Sequence, residues 1–184
     1  MKNKLKKKKL LFEYIFYQLN LRENIDKKVT FTRMGKILFL LSSINATKED
    51  NNLLIYFDKF YPEEFMGTFE VDILKLWKNN QFKHLRKCGD GNNFCELHNI
   101  EDNTFNGITD EEKEMVNNAI DSLSAKLNEY FTMELFDLVG LIKQWMVVKI
   151  GIDVIKMVSS FGQFNPYKYL LSTEDIINSA IKAY

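Results

Sequence analysis

The sequence predicts a mostly α-helical fold: a single compact helical domain with one β-hairpin inserted near mid-chain. Three features predict it. Apolar residues recur at three- and four-residue steps through much of the chain, as helices that bury one stripe require. A capping box, Thr109-Asp-Glu-Glu112, precedes one of these runs. A glycine- and asparagine-rich turn, Gly89-Asp-Gly-Asn-Asn93, separates two short runs that read as strands. The 184 residues suit one domain, with residues 1–9 a flexible basic tail and residues 10–184 the helical body. With 46% hydrophobic and 14% aromatic residues, the chain has enough apolar area to offset its conformational entropy, which excludes wholesale disorder.

Leu10, Leu11, Tyr14, Ile15, Tyr17 and Leu21 place a first helix at about Lys8 to Arg22. After a polar stretch, Thr30 and Thr32 stand as caps before Met34, Ile37, Leu38, Leu41 and Ile44, a second helix apolar nearly all round and therefore central. Thr47-Lys-Glu-Asp50 has the hydroxyl and acids of a helix start, and a short helix through Phe57 should follow. The aromatic connection Phe57 to Phe69, bracketed by Pro62 and Gly67, is too irregular in spacing for one regular element. Val71, Leu74 and Trp77 resume a helix ending near Asn79, and the hairpin spans about residues 82–98. Beyond the capping box, Val116, Ile120, Leu123 and Leu127 keep the helical period, as do Leu135, Leu138, Val139, Ile142 and Trp145 after Thr132. The run Met146 to Val158 mixes strand formers with helical spacing, and Ser172-Thr-Glu-Asp175 caps a last amphipathic helix.

Net charge is zero, but six lysines fall within residues 1–9 with no acid among them, which leaves 19 basic against 25 acidic groups in the remainder. A net-acidic body disfavours groove recognition of nucleic acid and confines any such contact to Lys4, Lys6, Lys7, Lys8 and Lys9, with the hairpin as a wing. Two cysteines argue against a disulfide-stapled secreted domain and for a reduced, cytoplasmic setting. No apolar run approaches the ~18 residues that a membrane span needs, and Glu13 interrupts the basic-then-apolar start that otherwise imitates a signal peptide.

His84, Cys88, Cys95 and His98 are every His and Cys of the chain, and these are ligand types for tetrahedral zinc. Their spacing lacks the close knuckles of structural zinc sites. Alternation puts His84 and Cys88 on one hairpin face but Cys95 and His98 on opposite faces, so the expectation is no metal. No cofactor is expected either. A phosphate-binding loop is lacking, since Gly89-Asp-Gly91 has neither the strand-to-helix setting nor a following lysine–hydroxyl pair. With no reaction constellation of defined geometry, the expectation is a non-enzyme. The connection from Phe57 to Phe69 can present Tyr61, Phe65, Met66 and Phe69 as anchors for a protein partner, while the competing expectation is that most of these rings plug the core.

Several stretches resemble one family. Met34-Gly-Lys-Ile-Leu-Phe-Leu-Leu41, Phe57-Asp-Lys-Phe-Tyr61 and Gly67-Thr-Phe-Glu-Val-Asp-Ile73 resemble the "KLLYF" helix and "FDxFYA…yGPVExDI" segment of the SocA-like, or Panacea, antitoxin domains. Phe136-Asp-Leu-Val-Gly-Leu141 with Trp145, and Tyr169-Leu-Leu-Ser-Thr-Glu-Asp-Ile-Ile177, resemble its "feLVeLSHxW" helix and C-terminal "ISxExI" ending. The chain departs from that pattern at Thr68, Lys143 and Val148, in place of a Pro or His, a His and a Trp, which fits a divergent scaffold better than a shared polar centre. The resemblance implies a helical domain with minor strand content that neutralises a co-encoded toxin by direct contact. It also implies a protease or chaperone as a further partner where such a domain acts as an adaptor.

Overall fold

The computed structural model describes residues 2–22, 28–43, 53–63 and 67–145. In chain order the elements are α1 (Lys2–Arg22), β1 (Lys28–Thr30), α2 (Phe31–Ser43), a 3₁₀ turn at Leu53–Ile55, β2 (Phe60–Glu63), β3 (Gly67–Glu70) and α3 (Val71–Lys78). Then follow β4 (Leu85–Cys88), a 3₁₀ turn at Asp90–Asn92, β5 (Phe94–Leu97), α4 (Asp110–Thr132) and α5 (Leu135–Trp145). The described part is mostly helical, as the periodicity predicts. No helix among the described residues is long and apolar enough to cross a membrane.

α2 is buried on all sides from Met34 to Ser43, which is why its sequence shows no polar face. It packs against α4, α5, β1 and β3, and Gly35 lets β3 come close: a Cβ there would lie 3.3 Å from the Phe69 ring. Around α2 the core is aromatic. Phe39 meets Phe60 edge-on at 4.9 Å, and Phe31 stacks on Trp77 with centroids 4.4 Å apart and planes within 2°. Each such side chain contributes roughly 1.5–3 kcal/mol through removal of its apolar surface from water. α1 contributes Leu11, Phe12, Ile15, Phe16 and Leu19 to the same core.

The β4–β5 hairpin forms where the turn residues place it, with Lys87 opposite Cys95 and Leu85 opposite Leu97. Its turn uses positive φ at Gly89 (73°), Gly91 (66°) and Asn92 (56°), the conformations that glycine and asparagine tolerate. β1 adds to β5 as a third strand, in the order β1-β5-β4, with Val29 opposite Cys95. Glu13 fixes α1 to this sheet: its buried carboxylate accepts the Lys83 and His84 N–H groups at 2.8 and 2.7 Å. The capping box of α4 closes as its sequence requires, with the Thr109 hydroxyl accepting from Glu112 N and Glu112 Oε2 from Thr109 N.

Three expectations need correction. Residues 2–9 are not a flexible tail but the first two turns of α1, because lysine is a good helix former and the charges of Lys4, Lys7 and Lys8 are matched by acids elsewhere in the fold. The aromatic connection is not irregular: β2 and β3 pair as a second antiparallel hairpin, with Phe60 opposite Glu70 and Tyr61 opposite Phe69. Thr47-Asp50 lies outside the described residues, and the helix expected through Phe57 is, among them, only the turn at Leu53–Ile55. The expectations for Met146 to Val158 and for the helix after Ser172 also lie outside them.

Candidate functional site

The first turn of α2, the end of α3 and the β4–β5 turn enclose an open cleft of about 440 Å³. Phe31, Phe69, Leu74 and Trp77 form its apolar wall, while Lys78, Lys87 and the turn residues Asn92 and Asn93 supply polar groups. Local hydrogen bonds hold these walls in register. Phe31 N–H donates to the Asn93 carbonyl at 2.9 Å, which ties helix to turn, and Thr30 Oγ1 accepts from Arg33 N at 3.3 Å in the cap position that its sequence suggests. Lys87 Nζ lies 5.3 Å from the Trp77 centroid, on a ring already stacked on Phe31. Among the described residues that line the cleft none is acidic, and two, Lys78 and Lys87, are lysines.

Behind the β2–β3 hairpin lies a charged clasp. Lys8, only 1% exposed, places Nζ 2.6 Å from Glu70 Oε1, 2.8 Å from Asp72 Oδ2 and 3.4 Å from Asp58 Oδ1. Lys4 adds a second contact to Asp58 at 2.8 Å, and Lys59 approaches Asp72 at 3.6 Å. Glu70 also caps α3, its Oε2 accepting Ile73 N at 2.8 Å, so one carboxylate both starts a helix and neutralises a buried cation.

The titration behaviour follows from this geometry. Burial works against the Lys8 charge, yet the field and hydrogen bonds of Glu70 and Asp72 outweigh it and raise its pKa. Burial also opposes the charges of Asp58 and Asp72, but their lysine partners hold both carboxyls below the ordinary range. Glu70 is the exception. Its deeper burial raises its pKa in spite of the Lys8 ammonium 2.6 Å away and the Ile73 N–H. A smaller network joins α1 to α4, where Glu112 accepts from Lys7 Nζ at 2.7 Å and from Tyr56 OH at 2.6 Å. Burial, followed by Glu112, pushes the Tyr56 hydroxyl up to about 12.

Of the residues read as partner anchors, Phe69 is 9% exposed, its ring lying under Lys36 Nζ at 3.5 Å while also lining the cleft. Tyr61 sits opposite it in the β2–β3 ladder. Phe65 and Met66 lie outside the described residues, as does the Tyr61 side chain. Phe57 and Phe60 are fully buried, as the core-plugging alternative expects of most rings in this segment. Of the five tail lysines, Lys4, Lys7 and Lys8 are engaged with acids, Lys6 is exposed and Lys9 half-exposed.

His84, Cys88, Cys95 and His98 do not converge. Cys95 faces the core, its thiol donating to the Val29 carbonyl at 3.1 Å and raised by burial to about 12. His84 Nδ1 is 3.0 Å from the Asn99 carbonyl. Among the described residues no group of three or more His, Cys, Asp or Glu side chains is placed to hold a metal ion. Comparison with known proteins finds no matching family model, no matching curated protein and no matching solved structure.

Sequence reasoning missed both the clasp and the cleft. Glu70 and Asp72 were visible as acids at the start of α3, and Lys8 as one of six lysines, but nothing in the local pattern joins positions 62 residues apart. For the cleft, the signal was the pair Phe31 and Trp77, whose stacking no spacing rule predicts.

Proposed function

We propose that this chain is a cytoplasmic, antitoxin-like interaction protein, one domain that includes the basic first turns of α1 rather than beginning at residue 10, that neutralises a co-encoded toxin by direct contact and carries out no reaction of its own. The observation that carries this reading is the β2–β3 hairpin. The segment Phe60 to Glu70, which the sequence marks as an anchor-bearing connection, is a ribbon fixed at its base by buried Phe60, by Phe69 against α2 and by the Glu70–Lys8 clasp. A firmly held hairpin can present residues at its turn without a large ordering cost on binding. Of the stretches that resemble the Panacea antitoxin domains, those within the described residues fall on α2, on β2 and β3, on the start of α3 and on α5, while Tyr169 to Ile177 lies outside the described residues. The mechanism is steric and stoichiometric, with Tyr61, Phe65, Met66 and Phe69 in the covering surface. A protease or chaperone is a second partner if the complex is also delivered for degradation.

Co-expression with the neighbouring gene product tests this. The expected result is a product that arrests growth alone, is harmless beside this chain, and elutes with it as a defined complex. A harmless neighbour that forms no complex overturns the reading. The nucleic-acid alternative has less support, because three of its five lysines are committed to Asp58, Glu70, Asp72 and Glu112. A mobility-shift titration in salt measures what remains of it.

A further inference from the structure

The cleft beside the hairpin has the composition of a peptide-docking site, and charge complementarity says which peptide. Its wall is apolar and aromatic: Phe31, Phe69, Leu74 and Trp77. Its polar groups are two ammonium groups, Lys78 and Lys87, with the turn residues Asn92 and Asn93. We propose that this cleft binds an acidic segment of the partner protein, an apolar side chain entering between Leu74 and the Phe31–Trp77 stack while flanking carboxylates meet Lys78 and Lys87. The proposal rests on the protein-partner reading above and adds the chemistry of the segment that the partner must offer.

Two features favour an acidic peptide over a nucleic acid. Among the described residues only two cations line the cleft, where a strand of phosphates needs a continuing basic track, and on lysine-rich α1 Lys4, Lys7 and Lys8 are matched by carboxylates. Base stacking is also disfavoured, since Trp77 is buried with one face on Phe31 and Lys87 placed over the ring. A carboxylate needs no free ring face. It can take Lys87 as a charge-assisted donor while that lysine stays beside Trp77.

The cleft and the β2–β3 ribbon meet at Phe69, which lines the cleft and lies in β3 opposite Tyr61. A partner covered by the hairpin therefore brings a segment past Lys78 and Lys87, and its acids add to a contact that the aromatic anchors begin.

The test uses the full chain, isotope-labelled, with three capped probes: a peptide with Asp and Glu flanking one Phe, the same peptide with Lys in place of the acids, and a ten-residue oligothymidylate. The expected result is saturable shifts of the Trp77 indole and of the Gly91, Asn92 and Asn93 amides with the acidic peptide alone. Affinity should fall at least tenfold in Lys78→Glu/Lys87→Glu and weaken as salt rises. The single variant Lys78→Glu, at an exposed position, should lose part of the affinity and guards against a folding defect in the double variant. No saturable shift up to millimolar peptide, equal binding of the basic peptide, or preference for the oligonucleotide overturns the proposal. Its failure is separable from that of the antitoxin reading. A toxin complex that survives Lys78→Glu/Lys87→Glu overturns the cleft alone, whereas peptide binding without any toxin complex overturns the antitoxin reading and leaves the cleft.

Discussion

Lys8→Met removes one buried ammonium and keeps an apolar stem of similar length. The structure says what is then left unmatched. Asp58 retains Lys4 at 2.8 Å and Asp72 retains Lys59 at 3.6 Å, but Glu70, with its side chain fully buried, keeps only the Ile73 N–H. Breaking a buried pair from one side costs about 3–5 kcal/mol, because the remaining charge is neither solvated nor paired. For a chain of this length about 2–4 °C of melting temperature accompanies each kcal/mol, so the expected drop is roughly 6–20 °C. The assay is thermal and urea unfolding of Lys8→Met beside Lys6→Met, an exposed neighbour whose loss should stay within about 0.5 kcal/mol. Lys8→Met/Glu70→Gln should recover about half of the loss or more, since the amide oxygen still accepts from Ile73 and no charge is stranded. Equal, small effects of the Lys8 and Lys6 substitutions would refute the clasp and return the first nine residues to a solvated tail.

Other outcomes follow from the same geometry. Gly89→Ala should cost about 1–2 kcal/mol in unfolding experiments, since φ is 73° there and a Cβ would lie 2.7 Å from the Phe94 ring. A thiol reagent should label half-buried Cys88 in the native protein and Cys95 only after unfolding, because Cys95 is fully buried and its thiol is raised to about 12; equal native rates would contradict that burial. Asp58 and Asp72 have lowered pKa values, so as pH falls the unfolded chain takes up their protons first; the stability they add is present above about pH 4 and lost as pH falls through their folded values. Asp72→Asn should reduce that acid slope in pH-dependent unfolding, and an unchanged slope argues against the Lys8 contact. Tyr56 is shifted the other way, so its contribution holds below about pH 10 and is lost as pH rises toward 12, a limb that Tyr56→Phe should flatten.

The helical elements were legible because their signals are local. The capping box at Thr109, the all-apolar face of α2 and the turn glycines at 89 and 91 each constrain a few neighbouring dihedrals, and each forms where the sequence puts it. The β2–β3 hairpin was not legible. Phe60, Tyr61, Thr68 and Phe69 are strand formers, but Pro62 lies within a strand and Phe60 and Phe69 are buried from opposite faces of the ribbon, so the alternation that marks a half-buried strand does not survive. β1 was hidden for another reason. Three residues are too few for a pattern, and its pairing to β5 is set by tertiary position. The basic start misleads because a dense run of charge suggests solvent exposure, whereas its acidic partners come from the segment before β2, a strand, α3 and α4 much later in the chain. Of the candidate site, the aromatic segment could be located from sequence, but the cleft depends on three elements meeting and had no local signature.

The reach of Lys8 across 62 positions to Glu70 also bears on how the molecule is made. In a nascent chain α1 emerges before its partners, with its lysine hydrated, and that residue cannot desolvate until the segment holding Asp58, Glu70 and Asp72 has left the ribosome. α1 is thus made before the partners it needs, and trimming or tagging its first turns interferes with a docking step that waits for Asp58, Glu70 and Asp72.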